Sequence, residues 1–100
     1  MAVQAVQYQH GSTGTEHVGC FKENKRDRHF KLSPGNYDPK SLTPEKCSSV
    51  CGAYMAPYAG MTDGRFCFCG SSKPGPSYKA ADGDCSSTCS GDDKTKCGGS

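Results

Sequence analysis

The residues with the most chemical potential in this chain are eight cysteines, Cys20, Cys47, Cys51, Cys67, Cys69, Cys85, Cys89 and Cys97. A thiol can bind metal, attack a substrate or join a disulfide, and spacing separates these uses. Cys47 with Cys51 and Cys67 with Cys69 lack the Cys-x-x-Cys knuckles of structural zinc, and His10, His17 and His29 have no matching partners. The acidic turns Asp82-Gly83-Asp84 and Asp92-Asp93 lack a full oxygen-ligand loop for calcium. All three histidines lie in the N-terminal third with no nucleophile motif beside them, so no catalysis, metal or other cofactor is expected. The use that remains is four disulfides, which persist in an oxidising, extracellular-type compartment.

Composition explains why bridges are needed. Only ten of the 100 residues are Leu, Ile, Val or Phe, too few for an ordinary core, and a chain of this length holds one domain. Each disulfide narrows the unfolded ensemble, contributing roughly 2–4 kcal/mol in the loop-entropy account. The net charge of +2 is too small for a general nucleic-acid function, and no apolar run is long enough to span a membrane. Residues 1–7 lack the basic start and apolar stretch of a signal peptide, so an export signal is expected to have been removed or to lie elsewhere in a longer parent.

The elements that must position the cysteines can be read in outline. Residues 9–16 are small and polar and read as a flexible linker. Val18-Gly19-Cys20-Phe21 reads as a short strand, followed by charged and turn-rich loop through Pro39. Thr43, Pro44 and Glu45 mark a helix start, and Gly52 is expected to stop it. Two strands then flank a tight turn at Asp63-Gly64, ending in Arg65-Phe66-Cys67-Phe68-Cys69. Beyond Gly70 no strand or helix periodicity is visible.

Cys47 and Cys51 share a helix face with a rise of about 6 Å between them. Cys67 and Cys69 share a strand face about 6.6 Å apart. A helix laid on the hairpin, running parallel to its second strand, favours Cys47–Cys67 and Cys51–Cys69. Cys89 and Cys97 then close a short loop, leaving Cys20 for Cys85.

These residues together resemble the WSC domain, a cysteine-rich module of cell-wall stress receptors and of Kremen and polycystin-type proteins. The resemblance rests on Val18-Gly19-Cys20-Phe21, Leu42-Thr43-Pro44-Glu45-Lys46-Cys47-Ser48-Ser49-Val50-Cys51, Tyr58-Ala59-Gly60, Phe66-Cys67-Phe68-Cys69-Gly70, Asp84-Cys85-Ser86-Ser87-Thr88-Cys89-Ser90-Gly91 and Cys97-Gly98-Gly99-Ser100. It implies the same cysteine pairing and an α+β disulfide-rich fold, a short antiparallel sheet packed against one or two helices. It also implies carbohydrate binding. Residues 18–100 form the WSC-like domain, and residues 1–17 a strand plus linker. The family pattern continues after Cys97-Gly98-Gly99-Ser100 into a short strand, which Met1 to Tyr8 resembles. The chain is therefore expected to come from a tandem array or to be permuted, its first strand folding back onto its own sheet or completing that of another copy.

Sugar sites combine aromatic faces with fixed polar groups, which makes Tyr37, Tyr54, Asp63, Arg65 and Tyr78 the candidate ligand-binding residues. Tyr37 and Tyr78 serve equally as loop packing, and Arg65 has Asp63 as an alternative partner. Tyr58, Phe66 and Phe68 are expected in the core. The run from Lys22 to Lys31 has five basic and two acidic residues and reads as a solvated loop, with attraction to a sulfated glycan as the alternative. The expected function is a secreted, non-enzymatic module binding polysaccharide or glycoprotein glycans. A protein-interaction or self-associating module and a defensive or toxin-like protein are the alternatives.

Overall fold

A computed structural model describes residues 2–8, 15–24, 26 and 28–99. Of the linker read at residues 9–16, residues 9–14, with His10, lie outside them, as do Lys25 and Asp27 of the charged run, whereas Thr15 and Glu16 belong to a strand. Strands β1 (Ala2–Tyr8), β2 (Thr15–Lys22), β3 (Tyr58–Thr62) and β4 (Phe66–Gly70) form an antiparallel sheet in the order β2-β1-β3-β4. Helix α1 (Pro44–Ala53) covers one face, and β5 (Thr88–Cys89) pairs with β6 (Asp92–Lys96) in a separate ribbon.

The first strand takes an interior position. β1 pairs with β2 from Ala2↔Lys22 to Tyr8↔Thr15 and with β3 from Gln4↔Met61 to Gln7↔Tyr58. A register shift beside Ala5 and Val6 leaves Val18 as an extra residue on β2. Ala2, Val3, Ala5 and Val6 are all buried. At its start, the Ala2 carbonyl accepts the Gly99 N–H at 3.0 Å, so the two ends of the described chain meet.

Alternation along the strands separates two apolar layers. On the helix side, Val6, Ala59, Met61, Cys67 and Cys69 pack with Leu42, Cys47 and Cys51. Cys20 and Cys85 join Ala2 and Ala80 in a smaller cluster at the side. On the opposite face, Val3, Ala5, Phe21 and Phe30 form a third cluster, with Val18, Tyr58 and Phe68 against it.

All four disulfides pair as expected: Cys20–Cys85, Cys47–Cys67, Cys51–Cys69 and Cys89–Cys97, with Cα separations of 4.8–6.0 Å. The sulfurs of Cys47, Cys51 and Cys67 lie within 4.8 Å of one another, but each is already bridged. Two staples therefore hold α1 parallel to β4, as the matched spacings require. Thr43 caps the helix, its hydroxyl accepting the Lys46 N–H at 3.1 Å.

Several local expectations change. Gly52 lies inside α1, and the reversal after the helix is made by Met55, whose φ is +62° and whose side chain is 91% exposed. The segment after Gly70, read as irregular, contains the β5–β6 ribbon and 3-10 turns at Pro76–Tyr78 and Asp82–Asp84. This ribbon is mostly exposed and polar, so it has no apolar alternation to read. Backbone hydrogen bonds fix it instead: Cys97 N–H donates to Ser87, Ser87 N–H to Gly98, and Gly64 N–H to Cys97. Phe66, expected in the core, is exposed at the hairpin end of β4, beyond the reach of the Phe30 cluster.

Candidate functional site

The charged segment after β2 is an anchored loop rather than a free one. Phe30, inside the run, is fully buried over the sheet face that α1 leaves open. Glycines make the room. A methyl group at Gly60 would approach the Phe30 Cδ2 to 2.3 Å, and one at Gly70 would approach Cδ1 to 2.3 Å. Leu32 then ties the loop to the sheet edge by exchanging backbone hydrogen bonds with Cys69 at 3.2 and 2.8 Å.

Glu23 organises the residues between β2 and Phe30. Its side chain is only 1% exposed; Oε1 accepts the His29 N–H at 2.9 Å, and Oε2 faces the Arg28 guanidinium at 3.6 Å. Arg28 also lies 4.3 Å over the Phe68 ring. The His29 Nε2 donates to the Lys22 carbonyl at 2.8 Å, which fixes its protonated nitrogen because a carbonyl only accepts. The His29 ring meets the Tyr78 ring edge to face at 4.5 Å. Tyr78 is held by its 3-10 turn, its N–H donating to Gly75.

Two open clefts result. One, of about 540 Å³, is lined by Lys22, Glu23, Asn24, Arg28, His29, Lys31 and Tyr78. The second, of about 490 Å³, runs past Leu32, Tyr54 and Met55 to Gly70, Ser71 and Ser72, and shares His29 and Lys31 with the first. The shared residues make one surface with Tyr78, 48% exposed, in one cleft and Tyr54, 49% exposed, in the other.

Tyr54 and Tyr78 thus line adjoining clefts, and the other three candidates lie elsewhere. Tyr37 is half-buried against the helix-side core, its hydroxyl accepting the Cys67 N–H at 3.1 Å. Asp63 and Arg65 sit at the hairpin turn, at the far end of β4 from Gly70, where they face each other at 3.8 Å and Arg65 lies over Phe66 at 5.0 Å. In the sequence His29 and Lys31 stand out only as members of the charged run, with glycan attraction as its alternative reading, and Ser71 does not stand out at all. The signal available was a lone aromatic, Phe30, inside a charged run, which implies that the run is pinned to a core.

Hydrogen bonds from the Thr95 hydroxyl, then from the Lys94 N–H, hold the exposed Asp92 carboxyl below the usual range. It lies on the β5–β6 ribbon, away from the clefts.

Comparison with known proteins gives the chain its context. Over 87 residues it is 38% identical to Xylosyltransferase oxt of Drosophila melanogaster, a match covering 87% of this chain and 10% of that protein. It is 34% identical over 83 residues to Kremen protein 1 of Homo sapiens, covering 82% of this chain and 17% of the relative. A WSC domain-containing protein of Arthroderma benhamiae is 33% identical over 88 residues, covering 86% of this chain and 9% of the relative. The chain thus spans about a tenth of the first of these relatives. The family model of the WSC domain matches residues 17–99, which takes in most of β2 and all of β3 through β6 with all eight cysteines and leaves β1 outside, and the chain belongs to the WSC domain family.

Proposed function

We propose that this chain is an extracellular, non-enzymatic module that binds polysaccharide or glycoprotein glycans on the surface between Tyr54 and Tyr78. The observation that carries the reading is the pairing of two half-exposed tyrosines across shared polar residues His29 and Lys31. Aromatic faces stack on the apolar side of sugar rings, and the intervening groups satisfy hydroxyls. The backbone beneath is fixed by Cys51–Cys69 and by the buried Phe30, so little ordering entropy opposes binding. Four bridges suit an oxidising compartment outside the cell.

Every cysteine is bridged, and the rings of His17 and His29 are engaged by Gln4 and by the Lys22 carbonyl, which supports binding over catalysis. The matched part of the xylosyltransferase relative is a tenth of that protein, so the activity in its name does not carry over to this segment.

A tandem parent is part of the proposal, because shallow sites gain avidity by repetition. The meeting of Ala2 with Gly99 supports it: a strand arriving from the C-terminal side would enter the slot between β2 and β3 at the end where β1 begins. The same slot favours a second reading, self-association by exchange of β1 between copies, which would appear as concentration-dependent mass in light scattering.

A glycan array probed with the oxidised chain tests the binding reading. Saturable binding that is lost in Tyr54→Ala or Tyr78→Ala, with the disulfide map unchanged, is the expected result. A blank array, or binding indifferent to both substitutions, would sink it.

A further inference from the structure

The distribution of charge around the two clefts is one-sided. Among the described residues, their linings contain the cations Lys22, Arg28 and Lys31 and one carboxylate, Glu23. Three other clefts are balanced. One sets Lys94 and Lys96 against Glu45 and Asp82, another Lys22 against Asp84, and a third Lys46 against Asp38.

Glu23 does not cancel the excess at the surface, because its carboxylate is buried and turned toward Arg28 and the His29 N–H. It offsets the Arg28 charge internally. Lys22 and Lys31 are exposed, and the Tyr78 ring lines the same cleft.

We propose that the ligand of this surface is an anionic polysaccharide, whose sulfate or carboxylate groups are held by Lys22 and Lys31 while Tyr78 faces a sugar ring. The inference rests on the glycan-binding reading and adds the ligand's charge. A charged rim raises the local concentration of such a polymer and pairs with its anionic groups at short range. An acidic peptide or nucleic acid fits the charge, but the two half-exposed tyrosines along a shallow, open surface fit the faces of pyranose rings better.

The test uses the intact oxidised chain on immobilised heparin, with hyaluronan as the carboxylate arm, dextran as the neutral arm and duplex DNA as the non-sugar polyanion. Heparin retention at about 0.05 M salt, largely lost by about 0.3 M, is expected from the short screening length. Replacing Lys22→Gln with Lys31→Gln weakens it about tenfold, whereas Lys94→Gln with Lys96→Gln, in a balanced cleft, leaves it unchanged. Hyaluronan bound alongside heparin supports uronate and sulfate recognition alike, and heparin alone supports sulfate. Equal loss in the two double variants, no preference for heparin over dextran, or DNA bound as tightly with the same lysine dependence overturns the proposal. If dextran or another neutral glycan binds with Tyr54 and Tyr78 dependence while the Lys22 and Lys31 changes do nothing, this inference falls and the broader glycan reading stands. If heparin binding depends on the lysines but not on either tyrosine, the stacking site falls with it.

Discussion

The ring of Phe30 lies across the backbone of Gly60, so close that a methyl group on that glycine would come within 2.3 Å of Cδ2 and 2.7 Å of Cε2. This contact joins the basic loop to the centre of the sheet. Phe30→Ala should cost about 3–5 kcal/mol by opening a cavity beneath the loop. Gly60→Ala should cost about 1–3 kcal/mol by forcing the ring outward. Denaturant unfolding measures both. A loss below about 1 kcal/mol in Phe30→Ala would mean that the loop is not anchored in this way.

The bridges should differ in their contribution by the length of chain they close. Cys20–Cys85 spans 65 residues and Cys89–Cys97 spans 8. In the loop-entropy account these correspond to about 4 and about 2.5 kcal/mol. Paired serine replacements, compared by thermal or denaturant unfolding, should therefore rank the first loss above the second. The reverse ranking would show that contacts around the terminal ribbon, rather than chain entropy, set the order.

Legibility in the sequence followed the physical origin of each feature. The helix and the pairing of Cys47 with Cys67 and Cys51 with Cys69 were readable because helical and strand periodicities place side chains at matching intervals. The β5–β6 ribbon was not, since its strands Thr88–Cys89 and Asp92–Lys96 are held by backbone bonds and a bridge, with polar residues on both faces. Tyr54 and Tyr78 were recognisable as exposed aromatics, but their shared surface depends on Phe30, Gly60 and Gly70 bringing His29 and Lys31 between them. That arrangement is long-range packing, which neither local pattern nor composition encodes.

The contact between Ala2 and Gly99 predicts tolerance to permutation. A chain in which residue 100 is joined to residue 1 by a short Gly/Ser link and opened between Gly11 and Gly14 should fold with the same four bridges. Its midpoint should lie within about 5 °C of the parent, because the slot for β1 is entered from the same end. Scrambled disulfides on peptide mapping would show that the β1–β2 connection is needed for folding.

Acid should loosen the terminal ribbon through Asp92. Its carboxyl is held below the ordinary value by the Thr95 hydroxyl and then by the Lys94 N–H, so the folded state binds its proton more weakly than the unfolded state does. The stabilisation is therefore fully present above the unfolded value, near 3.9, and is lost as pH falls through the depressed folded value. Between about pH 5 and pH 2, Asp92→Asn should show a shallower decline in unfolding midpoint than the parent. Parallel declines would mean that these two hydrogen bonds persist in the unfolded chain.

Glu23 supplies the sharpest test of how the cleft is held. Its Oε1 supports the His29 N–H at 2.9 Å and its Oε2 faces Arg28 at 3.6 Å with no hydrogen bond of its own, so charge attraction is what the second oxygen contributes. Glu23→Gln keeps the shape and the His29 contact but sets a neutral amide against the guanidinium. The expected loss is about 1–3 kcal/mol. If Lys22 and Lys31 hold an anionic ligand, removal of the buried carboxylate should leave heparin affinity unchanged or raised even as stability falls. Heparin affinity that drops in proportion to the stability loss would instead make Glu23 part of the binding surface itself.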